Sequence, residues 1–172
     1  MWSMDFGTAE ISFLIVSERA EFVKRFFGFF PEFFGNTTTE VKNMVFWKRA
    51  VQFCAGGGAY VGLELLWRGY SHVSMFAAGG VCFLLIGRLG KVQPVLPWPV
   101  RALVGAGIIT MVELATGLLV NRQYQVWDYR GRPGNFLGQI CPAFTLLWIP
   151  VSMLAMALYT WLDGRLDRVL GT

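Results

Sequence analysis

The sequence predicts an all-α membrane protein with about four transmembrane helices, arranged as two hairpins, and an additional N-terminal interfacial helix. Composition, apolar segments and the placement of charged residues all point to this class. Of the 172 residues, 55% are hydrophobic and 15% are charged, and the mean hydropathy is +0.49. Soluble domains are only about 45–50% apolar. The chain is therefore better suited to a bilayer than to water.

Four segments approach the length of about 20 residues that a helix needs to cross the hydrocarbon core. They are residues 50–66, 73–87, 100–120 and 136–161. The first two are short, and Gly79 and Gly80 interrupt the second. We expect these two helices to tilt or to depend on their neighbours.

The segments are joined by three connections of different character. Residues 68–72 form a tight polar link. Residues 88–99 contain three prolines, which stop a helix because they lack an N–H. Residues 121–135 form the longest connection. We expect this longest connection to fold over one end of the bundle.

The N-terminal segment, residues 1–46, differs from the rest in composition. Seven phenylalanines lie between positions 22 and 34, around Lys24 and Arg25. Phenylalanine rings beside basic residues suit an amphipathic helix in the headgroup region, whereas a cytoplasmic helix packed on the bundle is the other interpretation. The rest of the chain is predicted to form a transmembrane domain, residues 47–164, and a short cytoplasmic tail, residues 165–172.

The basic residues predict the orientation. Four spans place the N-terminal region, the second connection and the C-terminal tail on one side, which carries eleven Lys and Arg against four on the other. The eleven are Arg19, Lys24, Arg25, Lys42, Lys48, Arg49, Arg88, Lys91, Arg101, Arg165 and Arg168, and the four are Arg68, Arg122, Arg130 and Arg132. Because basic residues are retained on the cytoplasmic side, both termini are expected in the cytoplasm.

The sequence contains none of the compact motifs that mark metal, nucleotide or covalent chemistry. Its one histidine and its three cysteines, Cys54, Cys82 and Cys141, lack ligand spacing, and we expect the cysteines to be small buried side chains. No phosphate-binding loop is present, so an ATP-driven process would need a separate ATPase subunit. The basic residues form no single patch, which argues against nucleic acid. We predict no cofactor and no metal, and we favour a non-enzymatic role.

Two acids within the apolar segments are the most informative residues. An acid inside a span costs about 2.5 kcal/mol or more unless it is paired, protonated or hydrated. Arg68 follows Glu64 by four residues and shares its helix face, while Glu113 lies about 10 Å below the helix end at Asn121. One interpretation is a polar cavity, open to the outer leaflet, that holds a cation, a proton or a ligand headgroup. The other is two structural acids tied to Arg68, Asn121 or backbone donors.

The connection after Asn121 mixes aromatic rings with turn residues. Asp128 and Asn135 can bond turn backbone, while Trp127 and Tyr129 can anchor rings at the interface. Gln139 is expected about one turn inside the fourth helix. Long ordered loops are commonly functional, so we predict a lid over the two acids, with a loop that only closes the bundle as the alternative. His72 either bridges to Glu64 or is an ordinary interface residue. The candidate ligand-binding residues are therefore Glu64, Arg68, His72, Glu113, Asn121, Trp127, Asp128, Tyr129, Asn135 and Gln139.

The two hairpins share an order of features. In each, an acid near the end of a span precedes a polar connection and then a glycine-to-cysteine segment, ending at Cys82 or Cys141. The distances from Glu64 to Cys82 and from Glu113 to Cys141 are 18 and 28 residues. A duplicated hairpin with an insertion in the second copy would produce this order. Few positions match, so chance similarity is the competing explanation.

The combination of motifs resembles a known family. The pattern comprises Gly62-Leu-Glu64, Trp67-Arg-Gly-Tyr-Ser-His72, Glu113, Trp127-Asp-Tyr129, Pro133, Asn135 and Gly138-Gln-Ile-Cys141. It is similar to the small bacterial membrane proteins described as ABC-transporter type IV, or CmpB-like, over about residues 50–162. The resemblance implies a multi-pass protein of the bacterial plasma (inner) membrane related to transporter permeases. The Phe-rich N-terminal segment is expected outside the matched part.

Three functions remain open from the sequence. The first is a permease-like transport subunit with an outer-facing polar site, and four short spans then imply a homo-oligomer or a separate ATPase partner. The second is a membrane enzyme that acts on lipid headgroups at the outer leaflet, with Glu113 or Asp128 as a base. The third is a ligand-free scaffold or assembly partner in the lipid bilayer, in which the acids only pair internally.

Overall fold

A computed structural model of the chain describes residues 39–91 and 96–170. The described residues are all-helical, with four helices and no strand beyond an isolated bridge between Phe136 and Ile140. The helices are α1 (Thr39–Arg68), α2 (Val73–Leu89), α3 (Trp98–Val120) and α4 (Pro142–Leu170). The expected interfacial helix and the Phe-rich positions 22–34 lie outside the described residues.

Two of the helices are long and apolar enough to cross a membrane. They are α3, with 23 residues, and α4, with 29 residues. Only 22% of the most apolar part of α4 is buried within the protein, so most of this apolar surface faces outward. The shorter α2 is also apolar but has 17 residues, which gives it a length of about 26 Å.

The helix ends follow from local chemistry. Gly69, with φ of +77°, ends α1 and donates its N–H to the Leu65 carbonyl at 3.0 Å, as glycine does at many helix C-termini. His72 caps α2, and its Nδ1 accepts the Ser74 N–H at 3.2 Å. Proline lies in the first turn of α3, where its missing N–H costs nothing.

The start of α4 differs from the sequence prediction. The fourth segment was expected to begin near residue 136, with Gln139 one turn inside it, but α4 begins at Pro142. Leu137 and Gly138 have positive φ values of 53° and 64°, and Phe136 donates its N–H to the Ile140 carbonyl at 2.9 Å. The chain therefore makes a tight turn before the helix. The connection between α3 and α4, here called the long loop, runs from residue 121 to residue 141.

The helices pack as two hairpins in contact. α1 packs mainly on α2, and α3 packs mainly on α4, while α2 also touches α3 and α4. Small residues allow the closest approach: a Cβ on Gly56 would clash with Phe83 and lie 3.0 Å from the Gly79 carbonyl oxygen. Cys82 and Cys141 are buried as expected, but Cys54 is exposed. The prediction for Cys54 was wrong because an apolar segment also has a face directed away from the bundle.

One end of the bundle, here called the tail end, is held by a buried polar cluster. Asp163, 6% exposed, accepts a hydrogen bond from Gln52 at 2.7 Å and pairs with Lys48 at 2.9 Å and with Lys91. Gln52 also accepts a bond from the Tyr159 hydroxyl at 3.3 Å. These contacts connect the first half of α1, and Lys91 two residues after α2, to the second half of α4. The opposite end, which carries the long loop, is called the loop end.

Candidate functional site

The long loop is fixed to the end of α3 by amide side chains. Asn121, 1% exposed, donates to the Trp127 carbonyl at 2.6 Å and to Gln139 Oε1 at 3.0 Å, and its Oδ1 accepts the Val126 N–H at 2.9 Å. Gln139 returns a bond to the Asn121 carbonyl at 3.1 Å, and its own carbonyl accepts the Trp127 indole N–H at 2.9 Å. The loop is therefore a folded structure in which both the indole N–H and the carbonyl of Trp127 are bonded.

The tip of the loop is held by polar contacts of its own. Asn135 donates to the Arg130 and Arg132 carbonyls at 3.2 and 2.9 Å. Asp128 accepts the Arg130 backbone N–H and three bonds from its guanidinium, at 2.7 to 3.1 Å. The bonds from Arg130 lower the pKa of Asp128 from its ordinary value of 3.8. Both side chains bond turn backbone.

Glu64 forms an ion pair at the end of α1. Its Oε1 accepts from the Arg68 guanidinium, and its Oε2 accepts from the Ser71 hydroxyl at 2.5 Å. Arg68 also donates to the Val126 carbonyl at 2.8 Å and to the Tyr70 carbonyl at 3.3 Å. The pair therefore connects α1 to the long loop, and the charges of Glu64 and Arg68 neutralise each other.

Glu113 has a different environment. It lies in α3, is 5% exposed, and accepts one bond on each carboxylate oxygen: the Tyr129 hydroxyl at 2.9 Å and the Trp148 indole N–H at 3.0 Å. Among the described residues, no basic side chain lies within ion-pair distance of it. Burial, followed by the charge of Glu113, raises the pKa of Tyr129. The Tyr129 hydroxyl therefore keeps its proton and stays a donor.

A cavity of about 410 Å³ lies between α1, the long loop and α4. Its walls are mainly aromatic, with aliphatic side chains and one ion pair. The lining residues are Tyr60, Leu63, Glu64, Trp67, Arg68, Trp127, Tyr129, Phe144, Leu147, Trp148 and Val151. Tyr129 stacks on Phe144 with ring centroids 4.8 Å apart, and Tyr60 lies 6.1 Å from Trp148. We call this space the aromatic cavity.

A second cavity of about 340 Å³ continues the first toward the middle of the bundle. The two share Tyr60, Leu63 and Val151 in their walls. The second cavity is enclosed by α1, α2 and α4, together with Ile109 of α3. Apart from Cys82 and the hydroxyl of Tyr60, its lining side chains are apolar. Residues of α1 and α4 line both cavities.

The ten predicted site residues divide into three groups by location. Glu64, Arg68, Trp127 and Tyr129 line the aromatic cavity. Glu113 does not line it but bonds two residues that do. Five lie elsewhere: His72 at the α2 cap, Asn121 and Gln139 inside the loop, and Asp128 and Asn135 at its tip.

A family model described as "Putative ABC-transporter type IV" matches residues 22–169. The chain belongs to this family. The match begins at residue 22, so it includes the Phe-rich positions that the sequence prediction placed outside the matched part. No curated protein and no solved structure matches the chain. Membership in the ABC-transporter type IV family and the two apolar helices together identify a membrane protein.

Four aromatic residues of this ABC-transporter type IV family member were missed in the sequence prediction of the site: Tyr60, Trp67, Phe144 and Trp148. Tyr60 precedes Glu64 by four residues, so helical spacing could have placed both on one face. A tryptophan inside an apolar helix, such as Trp148, needs an acceptor for its N–H, and this need is a sequence signal for it. Nothing in the sequence around Phe144 distinguishes it from a residue facing lipid.

The described part of this chain also offers no group of three or more His, Cys, Asp and Glu side chains that could hold a metal ion. The chemistry of the aromatic cavity is therefore that of aromatic faces and a few hydrogen-bonded charges. Such a site can bind a small organic molecule by contact with its walls.

Proposed function

We propose that the chain is a permease-like subunit of a transport system, with four transmembrane helices and the loop end outside the cell. One observation carries the proposal: polar bonds join α1 to α4 at the tail end, whereas two cavities lie along these helices toward the loop end. The Asp163 cluster joins them at the tail end, where Arg49 also donates to the Tyr159 hydroxyl at 2.7 Å. Both cavities are lined by α1 and α4, whose Tyr60 and Trp148 rings lie 6.1 Å apart. A path that is open at one side and closed at the other is what a transport subunit needs in one of its states.

The charges support this orientation. Of the described basic residues, Arg68, Arg122, Arg130 and Arg132 lie at the loop end, while Lys48, Arg49, Arg88, Lys91, Arg101, Arg165 and Arg168 lie toward the tail end. Because Lys and Arg are retained in the cytoplasm, the tail end faces inward. Residues 1–46 and the tail from residue 165 then lie at the inner face of a bacterial plasma membrane.

The two remaining helices suit spans that depend on their neighbours. Residues 50–63 of α1 carry no charged side chain, and α2 packs closely against them through Gly56 and Gly79. A helix of 17 residues crosses a bilayer only if the membrane thins or flanking residues extend to the interface. Four spans enclose little volume, so we also propose that the subunit works as a homo-oligomer or with a separate ATPase.

Cysteine accessibility tests the path. Leu147 lines the aromatic cavity, whereas its neighbour Leu146 does not and is 65% exposed on the outer surface of α4. Leu147→Cys and Leu146→Cys are made in a Cys54→Ala background, which removes the one exposed native thiol. A water-soluble, membrane-impermeant methanethiosulfonate carrying a trimethylammonium group is applied to sealed vesicles from each side. The reagent needs water to reach its target, so a lipid-facing thiol reacts slowly.

The expected result is reaction of Leu147→Cys from the outer side only, at least about tenfold faster than Leu146→Cys. Reaction of Leu147→Cys from the inner side, or equal rates for both variants, would contradict a path open to the outside. If neither thiol reacts from either side, the cavity is closed to water, and a ligand-free scaffold replaces the proposal.

A further inference from the structure

The charges around the aromatic cavity do not balance. Glu64 and Arg68 line the cavity, but they pair with each other. Arg68 also bonds two backbone carbonyls and lies over the Tyr70 ring, 4.6 Å from its centroid. Its charge is therefore fully used within the protein. Glu113 is the charge that remains.

Glu113 is linked to the cavity wall by two hydrogen bonds that it accepts. Tyr129 and Trp148 both line the cavity, and each directs its polar hydrogen at a Glu113 oxygen. Since both oxygens accept, the pattern fits a carboxylate that still lacks a cation. A buried carboxylate without a counter-charge is costly in a low-dielectric interior. A cation in the cavity would lower that cost, although the Tyr129 and Trp148 rings would lie between it and the carboxylate.

The same hydrogen bonds improve the rings as cation-binding surfaces. An aromatic face attracts a cation because the ring quadrupole is negative there. Tryptophan binds a cation more strongly than tyrosine or phenylalanine does. A donor bond to a carboxylate polarises the ring further, as hydrogen bonds in a chain polarise one another. Tyr60, Trp67, Trp127 and Phe144 add further aromatic surface around the same space.

We infer that the aromatic cavity binds an organic cation, such as a quaternary or tertiary ammonium compound with apolar substituents. This inference rests on the proposed function, because it takes the same cavity as the substrate site. A volume of about 410 Å³ suits one small organic molecule. Glu64 is the one carboxylate in the lining, and its two oxygens already accept from Arg68 and Ser71, so a bare metal ion would have to displace these donors. The recognised features are the positive charge and the apolar groups around it.

Three probes of similar size and different charge test the inference. They are benzyltrimethylammonium, its neutral carbon isostere neopentylbenzene, and the anion phenylmethanesulfonate. Binding to the full chain in lipid nanodiscs is measured by calorimetry and by tryptophan fluorescence. We expect the cation to bind at least about tenfold more tightly than the neutral isostere, and the anion not to bind. Equal binding of cation and isostere, or preference for the anion, overturns the inference.

Glu113→Gln tests the source of the selectivity. Glu113 is a positioning residue here, because it acts through Tyr129 and Trp148. The variant should lose most of the tenfold preference for the cation while binding the neutral isostere as before, which a general packing defect would not do. Asp128→Asn is the matched control: it removes an acid from the tip of the same loop, outside the cavity. Loss of cation preference in the control but not in Glu113→Gln contradicts the assignment.

A second variant covers the case in which Glu113→Gln does not fold. Phe144→Leu removes one aromatic wall without touching a charge, and it should weaken the cation about threefold to tenfold with little effect on the neutral isostere. The two proposals also fail separately. Cation binding without access of water to Leu147→Cys contradicts the transport path alone, whereas access without cation preference contradicts the ligand class alone.

Discussion

Trp148 of α4 donates its indole N–H to Glu113 of α3 at 3.0 Å, across 35 residues of sequence. Both side chains are buried, at 9% and 5% exposure. The bond joins the first turns of α4 to the last third of α3, and the Tyr129 hydroxyl extends it into the long loop. The Glu113 carboxylate therefore connects α3 to α4 and to the long loop, two of the three elements that line the aromatic cavity.

Replacing the indole donor should weaken this connection. Trp148→Phe keeps an aromatic ring but leaves one oxygen of Glu113 without its donor, and we expect a loss of about 1–2 kcal/mol in unfolding free energy. Reversible unfolding in mixed micelles, followed by circular dichroism, measures it. Trp161→Phe is the control, because Trp161 is 58% exposed. An equal loss in both variants would show that the bond contributes nothing specific.

A second prediction concerns the packing contact between the long loop and α3. An added Cβ at Gly117 would lie 3.1 Å from the Trp127 ring and closer still to the Gln139 amide. Gly117→Ala should therefore displace the loop and cost about 1–3 kcal/mol, seen as a lower melting temperature in detergent. Gly107 lies on the same helix with open space at its Cβ, so Gly107→Ala should be neutral or stabilising by up to about 1 kcal/mol. The reverse order would exclude this steric explanation.

The tail-end cluster should depend on Asp163 more than on Asp167. Asp163 has a side chain 8% exposed, pairs with both Lys48 and Lys91 and accepts from Gln52, so Asp163→Asn removes the buried negative charge on which three donors converge. We expect a loss of about 2–4 kcal/mol in unfolding free energy. The Asp167 side chain is 35% exposed. Asp167→Asn should therefore lower the unfolding free energy by less than about 1 kcal/mol. Chemical unfolding of both variants compares them, and a costlier Asp167→Asn would contradict the central role of Asp163.

The tip of the long loop should respond to pH through Asp128. Because Arg130 lowers the pKa of Asp128 below 3.8, the folded protein binds this proton less readily than the unfolded chain does. The stabilisation is therefore complete above pH 3.8 and is lost as the pH falls through the lowered pKa. Carbon NMR of labelled aspartate reports the titration. In Arg130→Gln the pKa should rise toward 3.8, and an unchanged pKa would mean that Arg130 is not the cause.

The sequence predicted those parts of the fold and site that depend on local spacing. The apolar segments gave the four helices, and the four-residue spacing of Glu64 and Arg68 gave their ion pair, because residues that far apart share a helix face. The helix start at 142 was missed, since the turn at residues 136–141 depends on positive φ values and bonds within the long loop. An apolar sequence does not reveal these.

By itself, then, the sequence determined that the chain belongs in a membrane and that its basic residues gather toward one end. Only the tertiary structure decided which distant side chains meet: Glu113 with Trp148, and Asp163 with Gln52, which lie 35 and 111 residues apart. The physical reason is that helical period fixes which face a residue occupies, whereas packing between helices fixes what that face touches. The aromatic cavity follows from packing, and so its residues could be found only in the folded chain.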